Sequence, residues 1–308
     1  MIRNLCIRLG NLHRFTIFSL LFLAVLLPML YPIELPIIPG KPAKALFSFI
    51  EALPAGTRIY LSFDYDPGSM PEIHPAAIAV LTQAFRRGLR PICGGNWPVA
   101  GEMADQAIAS AVSFLGLNAP APGNSPARKP PEKGIDYAMV GFRPGGLVNI
   151  KRLSRDFLGT YATDRDGTPT RDQPIFQNAD GKAFSAQDFG IIVSFSGGAL
   201  GIEDFISLAG EHGRPLGTAC TSINVPLFYT FFQTRQLVGL TGGMPGAAEY
   251  EMLVGYRGGA REGMIPQSFA HLAILLFILF GNLGRLAPSP GRPTTAAAVA
   301  TIATGVGQ

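Results

Sequence analysis

Charge is scarce in this sequence. Asp, Glu, Lys and Arg make up 15% of its 308 residues, against about 25% in soluble chains, and the mean hydropathy is +0.26. A fully solvated globule is excluded, and part of the chain must face something other than water. Acidic residues are missing from both ends: all 21 lie between Glu34 and Glu262, so the tails carrying Arg3, Arg8 and Arg14, and Arg285 and Arg292, are purely basic. Without those five arginines, 20 bases stand against 21 acids. A near-neutral middle excludes the basic face or stripe of a nucleic-acid binder. Cysteine is equally sparse, and Cys6, Cys93 and Cys220 fit neither a CxxC metal site nor an even-numbered disulfide framework. Buried free thiols are expected at Cys93 and Cys220, with a bridge between them as the alternative for a domain outside the cytoplasm. Internal repeats, a dinucleotide fingerprint and a P-loop are also absent.

What the chain has instead is two long apolar runs. Residues 15 to 33, FTIFSLLFLAVLLPMLYPI, carry no charge and as a helix would extend about 28 Å, enough to cross a bilayer. A cleaved signal peptide with Ala43 and Ala45 as its processing site is the competing reading, but those alanines lie far beyond the apolar run. Residues 265 to 284 form a second expected span, interrupted by Gln267 and His271. Their i, i+4 spacing sets both on one helical face, where polar groups inside a bilayer turn toward another helix. The three arginines before Phe15 outweigh Lys41 and Lys44 beyond it, so both tails are expected in the cytoplasm and the intervening domain outside, at the cell (inner) membrane. The expected organisation is a basic tail (1–14), a transmembrane helix (15–33), a soluble domain (41–262), a second transmembrane helix (265–284) and a disordered tail (285–308).

Between the spans, strand-length apolar runs alternate with amphipathic stretches of helix length, the pattern of a doubly wound, mostly parallel α/β sheet of about five strands. Strands are expected at 57–64, 89–94, 136–142, 189–196 and 215–220. Helices are expected near 75–88, 100–116, 147–159, 202–212 and 226–238. Pro75 suits a first helical turn, and Gly88 and Gly213 suit left-handed helix ends. Residues 118–135 and 160–188 are expected to be solvated loops. The second contains DRDGTPTRD, a partial calcium-loop pattern in which Pro169 and Ile175 replace the required glycine and glutamate.

In a parallel sheet, ligands bind beyond the carboxyl ends of the strands. Asp64 and Asp66 leave the first strand there, and side-chain alternation puts both on one side, where they could hold a metal or act as nucleophile and acid/base. The simpler role is an Asp-Pro-Gly turn. Ser196, Gly197 and Gly198 lead from a strand into a helix, a place where backbone amides can bind an anion. Cys220 follows the last expected strand, with His74 and His212 as its only possible bases. Gly242, Gly243 and Gly246, with Glu249 and Glu251 in the helical turn after them, form a hinge or a packing site for another subunit.

The DxD of FDYDP is similar to the first motif of haloacid dehalogenase-type phosphatases, but Pro67 and Gly68 depart from that pattern and no later acidic metal motif follows. FDYDPGSMPE and GGMPGAAEYE, together with QSFAH, resemble an uncharacterised family of two-span prokaryotic membrane proteins. That resemblance spans most of the chain and implies architecture rather than activity. The layout of span, α/β domain and span is similar to auxiliary subunits of gliding-motility ABC transport systems. The expectation is a membrane-anchored scaffold or accessory subunit without cofactor or metal, associating with the membrane and with copies of itself or other subunits. The rival is a tethered hydrolase or small anionic-ligand binder using Asp64, Asp66, Ser196, Gly197 and Gly198. No catalytic residue is assigned.

Overall fold

A computed structural model describes residues 13–31, 36–116, 129–198, 201–209 and 213–286. The chain divides into two compact units, residues Leu35–Met264 and a second composed of Met1–Glu34 with Ile265–Gln308.

The larger unit is an α/β fold built on a six-stranded, wholly parallel sheet in the order β3-β2-β1-β4-β5-β6. The strands are β1 (Arg58–Asp64), β2 (Arg90–Gly95), β3 (Ala138–Phe142), β4 (Phe189–Ser196), β5 (Leu216–Cys220) and β6 (Gly239–Gly242). The five strands expected from apolar runs are present within two residues of their expected ends. The sixth, GLTG, is an addition: with a glycine at each end it reads as a turn, yet it pairs with β5 from Gly217 to Cys220.

Helices cover both faces because the strands are apolar on both, as parallel strands must be. On one face lie α2 (Lys41–Glu51), α3 (Met70–Arg86), α4 (Ala100–Phe114) and α9 (Gly243–Val254). They bury Leu46, Ile73, Ala107 and Tyr250 against Leu61, Phe63 and Val193. The opposite face carries α5 (Leu147–Arg155), α6 (Phe157–Thr160), α7 (Ile202–Ser207) and α8 (Val225–Gln233). There Ile150, Phe157, Phe205 and Phe228 close over Tyr60, Ile192 and Leu216. Phe228 is fully buried in this core.

Three expectations need correction. Helix α3 begins at Met70 rather than near residue 75, with Pro71 in its first turn and Pro75 inside it. Residues 160–188 are not a solvated loop: Tyr161, Ile175, Phe176 and Phe184 are buried in the second core, and short 3-10 turns carry the chain between them. Glu249 and Glu251 sit in the middle of α9, not its first turn, because the helix starts at Gly243. Residues 118–128 of the other expected loop and 287–308 of the expected tail lie outside the described residues, as do Cys6 and His212.

Cys93 and Cys220 are free and buried. They occupy β2 and β5, three strand spacings or about 14 Å apart, twice the Cα separation a disulfide can span.

In the smaller unit, α1 (Arg14–Leu30) is apolar but only 17 residues long. Helix α10 (Gly259–Leu286) is long and apolar enough from Gly259 to Leu283 to cross a membrane. Large apolar side chains stand exposed on both, including Phe15, Phe18 and Phe22 on α1 and Leu272, Leu275 and Ile278 on α10.

Candidate functional site

The strand order reverses between β1 and β4, where one crossover runs toward β2 and β3 and the other toward β5 and β6. Such a switch point parts the connecting loops and leaves a crevice beyond the carboxyl ends of the strands. A pocket of about 310 Å³ lies there, lined by Asp64, Tyr65, Asp66, Ser69, Trp97, Gly197 and Gly198. Four of the five residues singled out for a crevice are therefore brought together. The fifth, Ser196, is fully buried beside it, and its hydroxyl donates to the Gly198 carbonyl at 3.0 Å.

The two carboxylates are placed differently. Asp64 ends β1 on the face that carries Tyr60, and 2% of it is exposed. Its Oδ1 accepts the Asn96 main-chain N–H at 2.8 Å, and its Oδ2 accepts the Ser194 hydroxyl at 2.9 Å. Burial pushes the Asp64 carboxyl above its ordinary value, and these donors oppose the rise without cancelling it. Asp66 lies past the strand in the turn before α3, where its Oδ1 accepts the Ser69 N–H at 2.9 Å and the Ser69 hydroxyl at 3.1 Å. This is the turn-capping role open to an Asp-Pro-Gly sequence. The expected same-side pair is thus one buried, bonded carboxylate and one helix-entry carboxylate sharing a pocket.

Side chains that sequence reasoning passed over support the pocket wall. Asn149 Nδ2 donates to Asn96 Oδ1 at 2.9 Å, joining α5 to the turn that holds Asp64. Tyr65, just past β1, points to the opposite face from Asp64, where its ring lies tilted against Phe63 and its hydroxyl shares a 2.6 Å hydrogen bond with His74 Nδ1 in α3. The alternation that placed Asp64 could have placed Tyr65. Trp97 had a plainer signal, being the sole tryptophan, two residues beyond a glycine-rich strand end.

Nucleophilic chemistry finds little support in this geometry. Burial, with Glu72 nearby, pushes the Cys220 thiol up to about 12, so it stays protonated at neutral pH. Burial lowers His74 to about 4, leaving it neutral and occupied by Tyr65. The partial calcium loop is closed by its own groups. Asp164 accepts the N–H groups of Asp166 and Thr168 and the Gln173 amide, and lies 3.1 Å from Lys133 Nζ. Among the described residues, no group of three or more His, Cys, Asp or Glu side chains could hold a metal ion.

Gly197 and Gly198 line the pocket as expected, but α7 is only six residues long and the nearest charged lining groups are acidic. An anion there would meet two carboxylates and no base. The glycines considered for subunit packing make close contacts within the chain. A Cβ on Gly242 would collide with Val225 and one on Gly243 with Ser222, while one on Gly246 would lie 3.0 Å from the Thr241 backbone. On α10, His271 is exposed, and Gln267 Oε1 has no hydrogen-bond partner among the described residues. Compared with known protein families, curated proteins and solved structures, the chain has no match.

Proposed function

We propose that this protein is a membrane-anchored accessory module whose α/β domain binds a small polar ligand in the crevice between β1 and β4. The observation that carries this reading is the pocket itself: it sits at the switch point and is lined by Asp64, Asp66, Gly197 and Gly198 from separate turns. A binding role fits better than hydrolysis because both Asp64 oxygens, Asp66 Oδ1 and the Ser196 hydroxyl are engaged in hydrogen bonds within the chain, and the Cys220 thiol is protonated. The near-neutral soluble portion argues against a nucleic-acid partner.

Anchoring rests on residues 15–33 and 265–284 acting as two spans, with exposed apolar side chains along both helices. The basic first tail keeps both tails cytoplasmic and sets the domain outside the inner membrane. Gln267, with an unpartnered oxygen in an apolar helix, supports association with another span, from a second copy or another membrane subunit. Native mass spectrometry of the full chain after mild detergent extraction tests both parts. A retained small molecule and an assembled state are expected. A bare monomer that gains no mass on incubation with cell extract would overturn the reading.

A further inference from the structure

The crevice's own charge narrows the class of ligand, an inference that rests on the binding role above. Its lining offers the carboxylates of Asp64 and Asp66 and the rings of Tyr65 and Trp97, and among the described residues no lysine, arginine or histidine. Asp64 is buried among neutral donors from Asn96 and Ser194, and among the described residues it has no ion-pair partner. Asp66 uses Oδ1 to hold Ser69, and its Oδ2 accepts nothing from the described residues. The Trp97 ring is half-buried and makes no hydrogen bond or ring contact among the described residues.

The Asp66 carboxylate, with one oxygen unengaged among the described residues, lines the same pocket as the Trp97 ring, and the two together are complementary to positive charge. The carboxylates attract it through a partly desolvated medium, and the ring's negative face adds to that attraction. We propose that the crevice binds an organic ammonium ion, its charge shared by the Asp66 carboxylate and the face of Trp97. An anion is disfavoured by the same carboxylates, and a bare metal ion by the lack of a three-ligand cluster among the described residues. A neutral polyol could donate to Asp66, but it would bring no counter-charge to that carboxylate. The pocket's volume of about 310 Å³ admits an amine the size of choline or a short diamine.

Trp97 is the protein's only tryptophan, so its emission reports on the site directly. The full chain in mild detergent is titrated with choline, putrescine, glucose, inorganic phosphate and 3,3-dimethylbutan-1-ol, the uncharged isostere of choline. Choline or putrescine is expected to change the emission saturably, and the isostere is not. Asp66→Asn keeps an acceptor for Ser69 and so preserves the turn, and should weaken ammonium binding at least about tenfold. An unchanged thermal midpoint for that variant separates loss of binding from loss of fold. An equal response to the isostere, or a response to glucose or phosphate alone, overturns the ammonium assignment and leaves the binding role standing. Silence from all five probes with a retained non-amine in native mass spectrometry does the same. Silence with a bare chain overturns both.

Discussion

Asp64 Oδ1 accepts the main-chain N–H of Asn96 at 2.8 Å, fastening the end of β1 to the turn that follows β2. The neighbouring Ser194 hydroxyl ties the same carboxylate to β4, so one side chain joins the three central strands at the crevice. Asp64→Ala removes the acceptor for both donors and leaves them buried. Each orphaned donor costs about 1 to 3 kcal/mol, so a loss of about 2 to 6 kcal/mol is expected in reversible denaturant unfolding followed by Trp97 emission. Asp64→Asn keeps one acceptor and should cost about half as much. Equal, negligible losses for both variants would mean that Asp64 does not hold the strands together.

Gly201 makes the same point from the opposite side. Its φ is +108°, and an added Cβ would lie 2.7 Å from Asp64 Oδ2 and 2.9 Å from Ser194 Oγ. Gly201→Ala therefore strains the backbone and pushes on the carboxylate together. The expected cost is at least about 2 kcal/mol, with Trp97 emission altered even where the fold survives. A variant as stable as the parent would show that this turn relaxes freely.

The Tyr65 and His74 pair predicts a titration. Burial depresses His74 to about 4, below its ordinary 6.5. The unfolded chain therefore takes up a proton first, and the pair's contribution is present above about pH 6.5 and lost as pH falls toward 4. Imidazole NMR signals should show His74 titrating near 4. In Tyr65→Phe the signal should shift, with a stability loss of about 1 kcal/mol from the missing hydrogen bond. A midpoint at or above 6.5 would mean that His74 is solvated rather than enclosed.

Much of this fold can be read from periodicity, and its exceptions have local causes. The five longer strands are runs of apolar residues, whereas β6 is four residues bounded by glycines and is held by its neighbours rather than by its composition. Helix α2 follows directly on the first apolar run, and Lys41 and Lys44 mark it as a flank of that run. Its buried Ala43, Leu46 and Ile50 recur at helical spacing. The segment 160–188 conceals its burial because Tyr161, Phe176 and Phe184 are separated by polar turns and follow neither period. At the crevice, strand alternation located Asp64 correctly but failed for Asp66, since β1 ends at Asp64 and a turn sets the next directions. Asn96 and Asn149 are 53 residues apart, and their hydrogen bond depends on tertiary structure that no local pattern encodes.

Topology can be tested with the protein's own cysteine pattern. Cys93 and Cys220 are buried, and Cys6 lies in the basic tail before the first apolar run. Asp180 is an exposed position in the larger unit. In intact cells, a membrane-impermeant maleimide should label Asp180→Cys and leave Cys6 unlabelled until lysis. Labelling of Cys6 with protection of position 180 would reverse the proposed orientation.

Glu251 supplies the last test, at the start of α10. Its carboxylate is fully buried, with Oε1 accepting the Ala260 N–H at 3.0 Å and Oε2 accepting those of Gly258 at 3.2 Å and Arg261 at 2.9 Å. These are amides that a helix N-terminus leaves without intrahelical partners, so a side chain from α9 caps α10. Glu251→Ala should cost at least about 3 kcal/mol by leaving three donors unpaired, and Glu251→Gln less, because one oxygen remains. Burial raises the Glu251 carboxyl, while the three amides and Arg261 oppose the rise. With the folded value above the unfolded one of about 4.3, the native state binds the proton more readily. The glutamate's contribution therefore grows as pH falls from above the folded value to about 4.3, then levels off. Gln cannot titrate, so the stability of the parent relative to Glu251→Gln should increase over that window in parallel unfolding curves. A relative stability that instead falls on acidification would mean that the amide cap outweighs burial and holds the carboxylate below its ordinary value.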